Sequence, residues 1–139
     1  MNRQDAKSAK IEPHSGLDDL AHAVIGAAIE VHRNLGPGFL ESVYEEALAI
    51  ELSARGIAFE RQKAVAVNYK GSEVGQSKLD FLIDGSLVLE LKAVENLLPI
   101  HKAQVISYLK TTSCQLGLLI NFNVRIVKEG VQRVVLSKN

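Results

Sequence analysis

Asp80, Glu90 and Lys92 are the residues whose types and spacing could do chemistry together. They fall in "LDFLIDGSLVLELKAV", Leu79 to Val94, where two apolar runs flank an Asp-Gly turn signal. Side chains alternate faces along a strand, so Leu87, Leu89 and Leu91 share one face, and Val88, Glu90 and Lys92 the other. The same alternation groups Leu79, Phe81 and Ile83 against Lys78, Asp80 and Leu82. Burying both apolar sets together places Asp80 opposite Glu90. A strict two-residue turn at Asp84-Gly85 would turn the carboxylates to opposite faces, because a slip of one residue inverts a strand. An odd loop, Asp84-Gly85-Ser86 with Gly85 left-handed, restores the match. The expectation is two carboxylates about 5 Å apart at Cβ, with a lysine beside them.

Adjacent carboxylates repel, and both stay ionised at neutral pH only with a cation between them. Two carboxylates completed by waters and substrate phosphate is a usual way of holding Mg²⁺, with Mn²⁺ as a substitute. Such a cation offsets charge on a phosphoryl oxygen, and Lys92 can orient a water or stabilise developing charge. The plain alternative is a salt bridge of Lys92 or Lys78 with one carboxylate on a solvated sheet face.

The elements that must position these groups follow from periodicity. Residues 1 to about 13 read as a flexible polar tail, and 14–139 as one domain. Ser15 and Asp18 form a capping-box-like start, followed by Leu20, Val24, Ala27, Ala28 and Val31 at helical spacing up to Asn34. Gly36, Pro37 and Gly38 break that helix as turn residues. A second helix fits Phe39 to about Ala54, with Leu40, Val43, Tyr44, Ala47 and Leu48 on one side. "AFERQKAVAVNYK" then reads as a strand, Lys70-Gly71 as a turn, Val74 to Ile83 and Leu87 to Ala93 as the hairpin described above. Pro99 suits the first turn of a third helix running to about Lys110. "LGLLINF" is a buried strand, and "VRIVKEGVQRVVL" a terminal hairpin across Lys128-Glu129-Gly130. The predicted order is α-α-β-β-β-α-β plus a C-terminal β-hairpin: an α/β chain with a central mixed sheet flanked by helices.

Composition bounds the function. The chain has 139 residues, with 16 basic and 16 acidic side chains. A nucleic-acid interface would therefore have to be a local feature rather than a basic surplus. One cysteine, Cys114, excludes an internal disulfide framework and a multi-cysteine zinc site, and reads as a small buried apolar residue. No apolar run reaches the roughly 18 residues of a membrane span. The expected setting is a reduced cytoplasm.

Asp80 and Glu90-Leu91-Lys92 take the form of the motif that names the PD-(D/E)XK nuclease superfamily. "GFLESVY", Gly38 to Tyr44, fits G-x-x-E-x-x-Y, and with "VHRNLGPGFLESVYEEAL" and "ELKAVENLLPIHKAQVISYLK" the chain resembles the bacterial GxxExxY proteins assigned to that superfamily. "QVISY", Gln104 to Tyr108, is similar to the Q-x-x-x-Y motif of RecB-type nucleases. The resemblance spans residues 17 to 136 or so. It implies a restriction-endonuclease-like core and metal-dependent cleavage of nucleic acid, with DNA first. Asp80 and Glu90 match the metal-binding acids, Lys92 the motif lysine, and Glu41 the helical acid that joins the metal site in several branches. Gln104 and Tyr108 match positions that steady the site or contact the DNA backbone. Lys78 stands where relatives often carry arginine, and the proline of the motif's name is missing.

Other readings remain open. The fold could serve a catalytically silent binding or regulatory protein, or a subunit that dimerises through its terminal hairpin and acts with a partner enzyme. Tyr44 could be core with its hydroxyl bonded inside, and His32 could line the site or meet helix-end carbonyls.

Overall fold

The computed structural model describes residues 15–136; the predicted N-terminal tail lies outside them. Two helices come first, α1 (Ser15–Leu35) and α2 (Glu41–Ala54), then β1 (Phe59–Tyr69), β2 (Ser72–Ile83) and β3 (Leu87–Lys92). Helix α3 (Pro99–Thr112) leads to β4 (Leu116–Asn121), and a 3₁₀ turn (Val127–Gly130) leads to β5 (Val131–Val135). The strands form one 5-stranded sheet in chain order. Only the β3–β4 pair is parallel, joined by the α3 crossover; the others are antiparallel.

Both faces of β3 and β4 are buried, as in the central strands of a sheet covered by helices on both sides. On one face Phe81, Ile83, Leu87, Leu89 and Leu91 pack against α1 and α2 through Val24, Ala28, Tyr44 and Leu48. On the other, Leu82, Val88 and Leu119 pack under α3 through Val105 and Leu109. Each such leucine buried contributes about 2 kcal/mol. Gly117 lets α3 approach closely: a Cβ there would stand 2.6 Å from Val105 Cγ1.

The register is the one the odd loop requires. Phe81, Leu82 and Ile83 pair with Leu89, Val88 and Leu87. Asp84 (φ 51°) and Gly85 (φ 66°) are both left-handed, and the Ser86 amide donates to the Ile83 carbonyl. Continued by one step, this register sets Asp80 opposite Glu90.

The structure corrects three details. Leu79 does not share the face of Phe81; it packs with Leu82, Val88 and Tyr108 under α3. Likewise Phe59 packs on the α1–α2 side and Val65 on the α3 side, although six positions apart they should share a face. Both strands reverse between these residues, where Gln62 has φ 50° and the β1–β2 pairing skips Gln62 and Asp80. A left-handed backbone at a residue with a Cβ costs roughly 1–2 kcal/mol.

Helix α2 begins at Glu41, and its buried stripe is Tyr44, Leu48, Ala49 and Leu52. Leu40 and Val43 lie outside it because Leu40 is the extended N-cap and the helix turns Val43 to solvent. Asp18 accepts from Arg133 at 2.9 Å; the side chain of Ser15, the other half of the capping-box-like start, lies outside the described residues. The terminal hairpin is a 3₁₀ turn and a single strand, β5, laid antiparallel on β4. Val127 joins the core, and Gly130 sits so tightly on Asn121 that a Cβ would fall 2.2 Å from its carbonyl oxygen.

Candidate active site

Asp80 sits where its strand parts from both neighbours. The β2–β3 pairing ends at Phe81–Leu89, one step before Asp80 and Glu90, and the β1–β2 pairing is interrupted at the same level. Side chains close the opening. The Asp80 amide donates to Glu90 Oε2 at 2.8 Å, and the Leu91 amide donates to Asp80 Oδ2 at 2.8 Å. Each carboxylate thus takes a place that a strand carbonyl would otherwise fill. Each acid is oriented by the other's strand.

Burial and mutual repulsion dominate the electrostatics. Glu90 is only 3% exposed; its pKa is pushed up to about 8, first by burial and then by the charge of Asp80, against the Asp80 amide and Lys92. Asp80 is also raised by burial and by Glu45, while the Leu91 amide, Lys92 and Gln62 pull the other way. Glu41, the first residue of α2, is raised by burial, Asp80 and Glu45, and lowered by Lys92. The structure therefore brings Glu41, Asp80, Glu90 and Lys92 within electrostatic reach of one another. Three acids face one lysine, an excess of negative charge that invites a cation.

Gln104 and Tyr108 approach from the α3 side. The Tyr108 hydroxyl donates to the Lys78 carbonyl at 3.1 Å and is hydrogen-bonded by the Gln104 side chain. Burial and the charges of Glu90 and Asp80 raise the tyrosine pKa. These two residues thus hold β2 two positions before Asp80. The side chain of Lys78 is exposed, and it is its carbonyl that is used.

Three residues escaped the sequence reading. Glu45, one turn after Glu41, lies on the same helical face, and its spacing was the available signal. Arg61 Nη2 and Nε donate to Glu45 Oε2 at 3.0 and 3.2 Å, and Arg61 also holds Glu46. Gln62 Nε2 donates to Glu45 Oε1 at 3.0 Å and reaches Asp80 Oδ1 at 3.5 Å. Nothing in the sequence marks Gln62, because a left-handed residue inside a strand is usually glycine or asparagine.

Tyr44 and His32 both bond backbone groups. The Tyr44 hydroxyl donates to the Gly36 carbonyl at 2.6 Å and accepts from the Phe39 amide at 3.2 Å, while its ring stacks on Phe122 at 4.6 Å. His32 Nε2 donates to the Val124 carbonyl at 2.8 Å. Gly36 and Gly38 are turn glycines with φ of 72° and 106°. Cys114 is buried beside the α3 cluster.

A divalent cation fits the donor chemistry of this site, since the buried Glu90 and the half-buried Asp80 are opposed carboxylates. Among the described residues, no group of three or more His, Cys, Asp or Glu side chains is gathered closely enough to hold a metal ion.

A family model described as the PD-(D/E)XK nuclease superfamily matches residues 18–134. Among solved structures, the chain is similar to that titled "Crystal structure of SSO0001", at 21% identity and a TM-score of 0.53. The match covers 70% of this chain and 50% of the other, so the chain spans half of that structure, and the likeness is one of fold. A search of curated proteins finds no match. With the mixed sheet, its flanking helices and a family match over nearly all of its length, the chain belongs to the PD-(D/E)XK nuclease superfamily.

Proposed function

We propose that this protein is a divalent-metal-dependent nuclease that hydrolyses phosphodiester bonds in DNA, of the GxxExxY type. The single observation that carries the reading is the opposed Asp80–Glu90 pair where the strands part, Glu90 buried and Asp80 half-buried, with Lys92 on the same strand as Glu90. Asp80 and Glu90 would hold Mg²⁺, or Mn²⁺ in its place, with Glu41 as an auxiliary acid. When bound, the cation neutralises charge on a phosphoryl oxygen and promotes hydrolysis. Lys92 orients the attacking water or stabilises the charge that develops on the phosphate. Gln104 and Tyr108 keep β2, and so Asp80, in place. Superfamily membership supports nucleic acid as the partner, and the G-x-x-E-x-x-Y stretch supports the narrower assignment.

The test is cleavage of labelled single- and double-stranded DNA and RNA with Mg²⁺ or Mn²⁺. Asp80→Asn and Lys92→Ala are each expected to lower the rate by about 100-fold or more. Product sizes then separate exonuclease from endonuclease.

One observation favours a second reading, a catalytically silent scaffold. Each carboxylate already accepts a backbone amide, and among the described residues no three His, Cys, Asp or Glu side chains gather closely enough to hold a metal ion. On that reading calorimetry detects no Mg²⁺ or Mn²⁺ binding by the wild type, and no substrate is cut.

A further inference from the structure

Four described residues other than glycine have positive φ: Gln62, Lys70, Asp84 and Ser113. Lys70 and Asp84 lie in hairpin turns, and Ser113 caps α3. Gln62 alone lies inside a strand, at φ 50°, where the β1–β2 pairing skips the step it shares with Asp80.

Its side chain has a definite task there. Nε2 donates to Glu45 Oε1 at 3.0 Å and points to Asp80 Oδ1 at 3.5 Å, so one amide group spans a carboxylate of α2 and one of β2. The other oxygens of both acids are engaged: Glu45 Oε2 by Arg61, and Asp80 Oδ2 by the Leu91 amide. Glu45 is thus a strut with both oxygens occupied, and Gln62 links it to the acid at the strand opening. A neutral donor suits this place. A lysine would also bridge the two carboxylates, but its charge would compete with a cation for Asp80. Stability alone favours glycine or asparagine at a left-handed position, and an exposed side chain offers little packing in return.

We infer that Gln62 is a positioning residue of the Asp80–Glu90 site, a neutral amide bridge from Glu45 that sets the Asp80 carboxylate for a divalent cation without neutralising it. This rests on the nuclease reading given above.

The test combines thermal unfolding of the metal-free protein with calorimetric titration of Mn²⁺ alone. It uses wild type, Gln62→Gly, Asp80→Asn and their double variant. Gln62→Gly keeps the backbone conformation accessible and removes the exposed side chain with its amide; Gln62→Asn, also tolerant of this conformation, serves if the glycine variant does not fold. The Tm changes of Gln62→Gly and Asp80→Asn are expected to be non-additive by at least about 2 °C. Mn²⁺ affinity in Gln62→Gly should fall about 10- to 100-fold, as for partners that orient a ligand. Additive Tm changes overturn the inference. So does unchanged Mn²⁺ affinity in Gln62→Gly when Asp80→Asn abolishes binding, since Gln62 would then only shape the strand. A wild type that binds no Mn²⁺ overturns the nuclease reading itself and removes the inference with it. That failure is recognisable because Asp80→Asn then changes nothing in the titration.

Discussion

At the scale of the residue, the site is held against its own electrostatic preference. A glutamate ordinarily titrates near 4.5, but folded Glu90 holds its proton to about 8. Between those values the folded chain keeps a proton that the unfolded chain has released, so metal-free stability falls as pH rises through that window, and the full cost of ionising Glu90 is in place above about 8. Glu90→Gln keeps an acceptor for the Asp80 amide and cannot ionise. It is expected to make the decline shallower, leaving the part due to Asp80 and Glu41, and, at pH 8, to be more stable than wild type by about 1–3 kcal/mol. Thermal melts of both proteins from pH 4 to pH 9, about the range that brackets the shift, check this. Parallel curves would mean that Glu90 is not strained in the fold. A substitution that stabilises the chain while removing cleavage is the pattern expected of a group kept for function.

At the scale of the element, the start of α2 is set by a tyrosine five residues away from the loop it ties. The Tyr44 hydroxyl bonds Gly36 and Phe39 on either side of the Gly-Pro-Gly turn, and its ring lies on Phe122 at the end of β4. That anchorage fixes where Glu41 enters the site. Tyr44→Phe keeps the ring and strips the buried carbonyl and amide of their partner, at a cost of about 1–2 kcal/mol. The expected result is a Tm lower by several degrees and a smaller loss of cleavage than in Asp80→Asn. An equal loss of cleavage would move Tyr44 from scaffold to site. Arg61 plays a comparable part further along, clamping Glu45 and Glu46 of α2 to β1.

At the scale of the whole molecule, the balance of 16 basic and 16 acidic residues sets a limit on nucleic-acid binding. Affinity for duplex DNA comes largely from phosphate contacts by lysine and arginine. Without metal, binding is expected to be weak, with a slope of log K against log salt of about −3 or shallower, measured by fluorescence anisotropy. A slope of about −6 or steeper would reveal a basic face that the neutral total conceals. No helix among the described residues is long and apolar enough to cross a membrane.

Much of this was legible in the chain. The element order, the odd loop at Asp84-Gly85-Ser86 and the opposition of Asp80 and Glu90 follow from local rules: period-2 alternation, turn chemistry and the need to bury two apolar faces together. Glu45 could have been found from its spacing to Glu41. Other features depend on contacts between residues far apart in sequence. Leu79 changes face because both flanking ladders open at Asp80. The terminal hairpin fails because Gly130 fits against Asn121 and Val127 into the core. Gln62 becomes left-handed where Glu45 and Asp80 engage its amide, with no glycine to announce it. Local sequence determined which residues face each other within a hairpin; tertiary structure decided where the ladder gives way, because that depends on partners the local pattern does not contain.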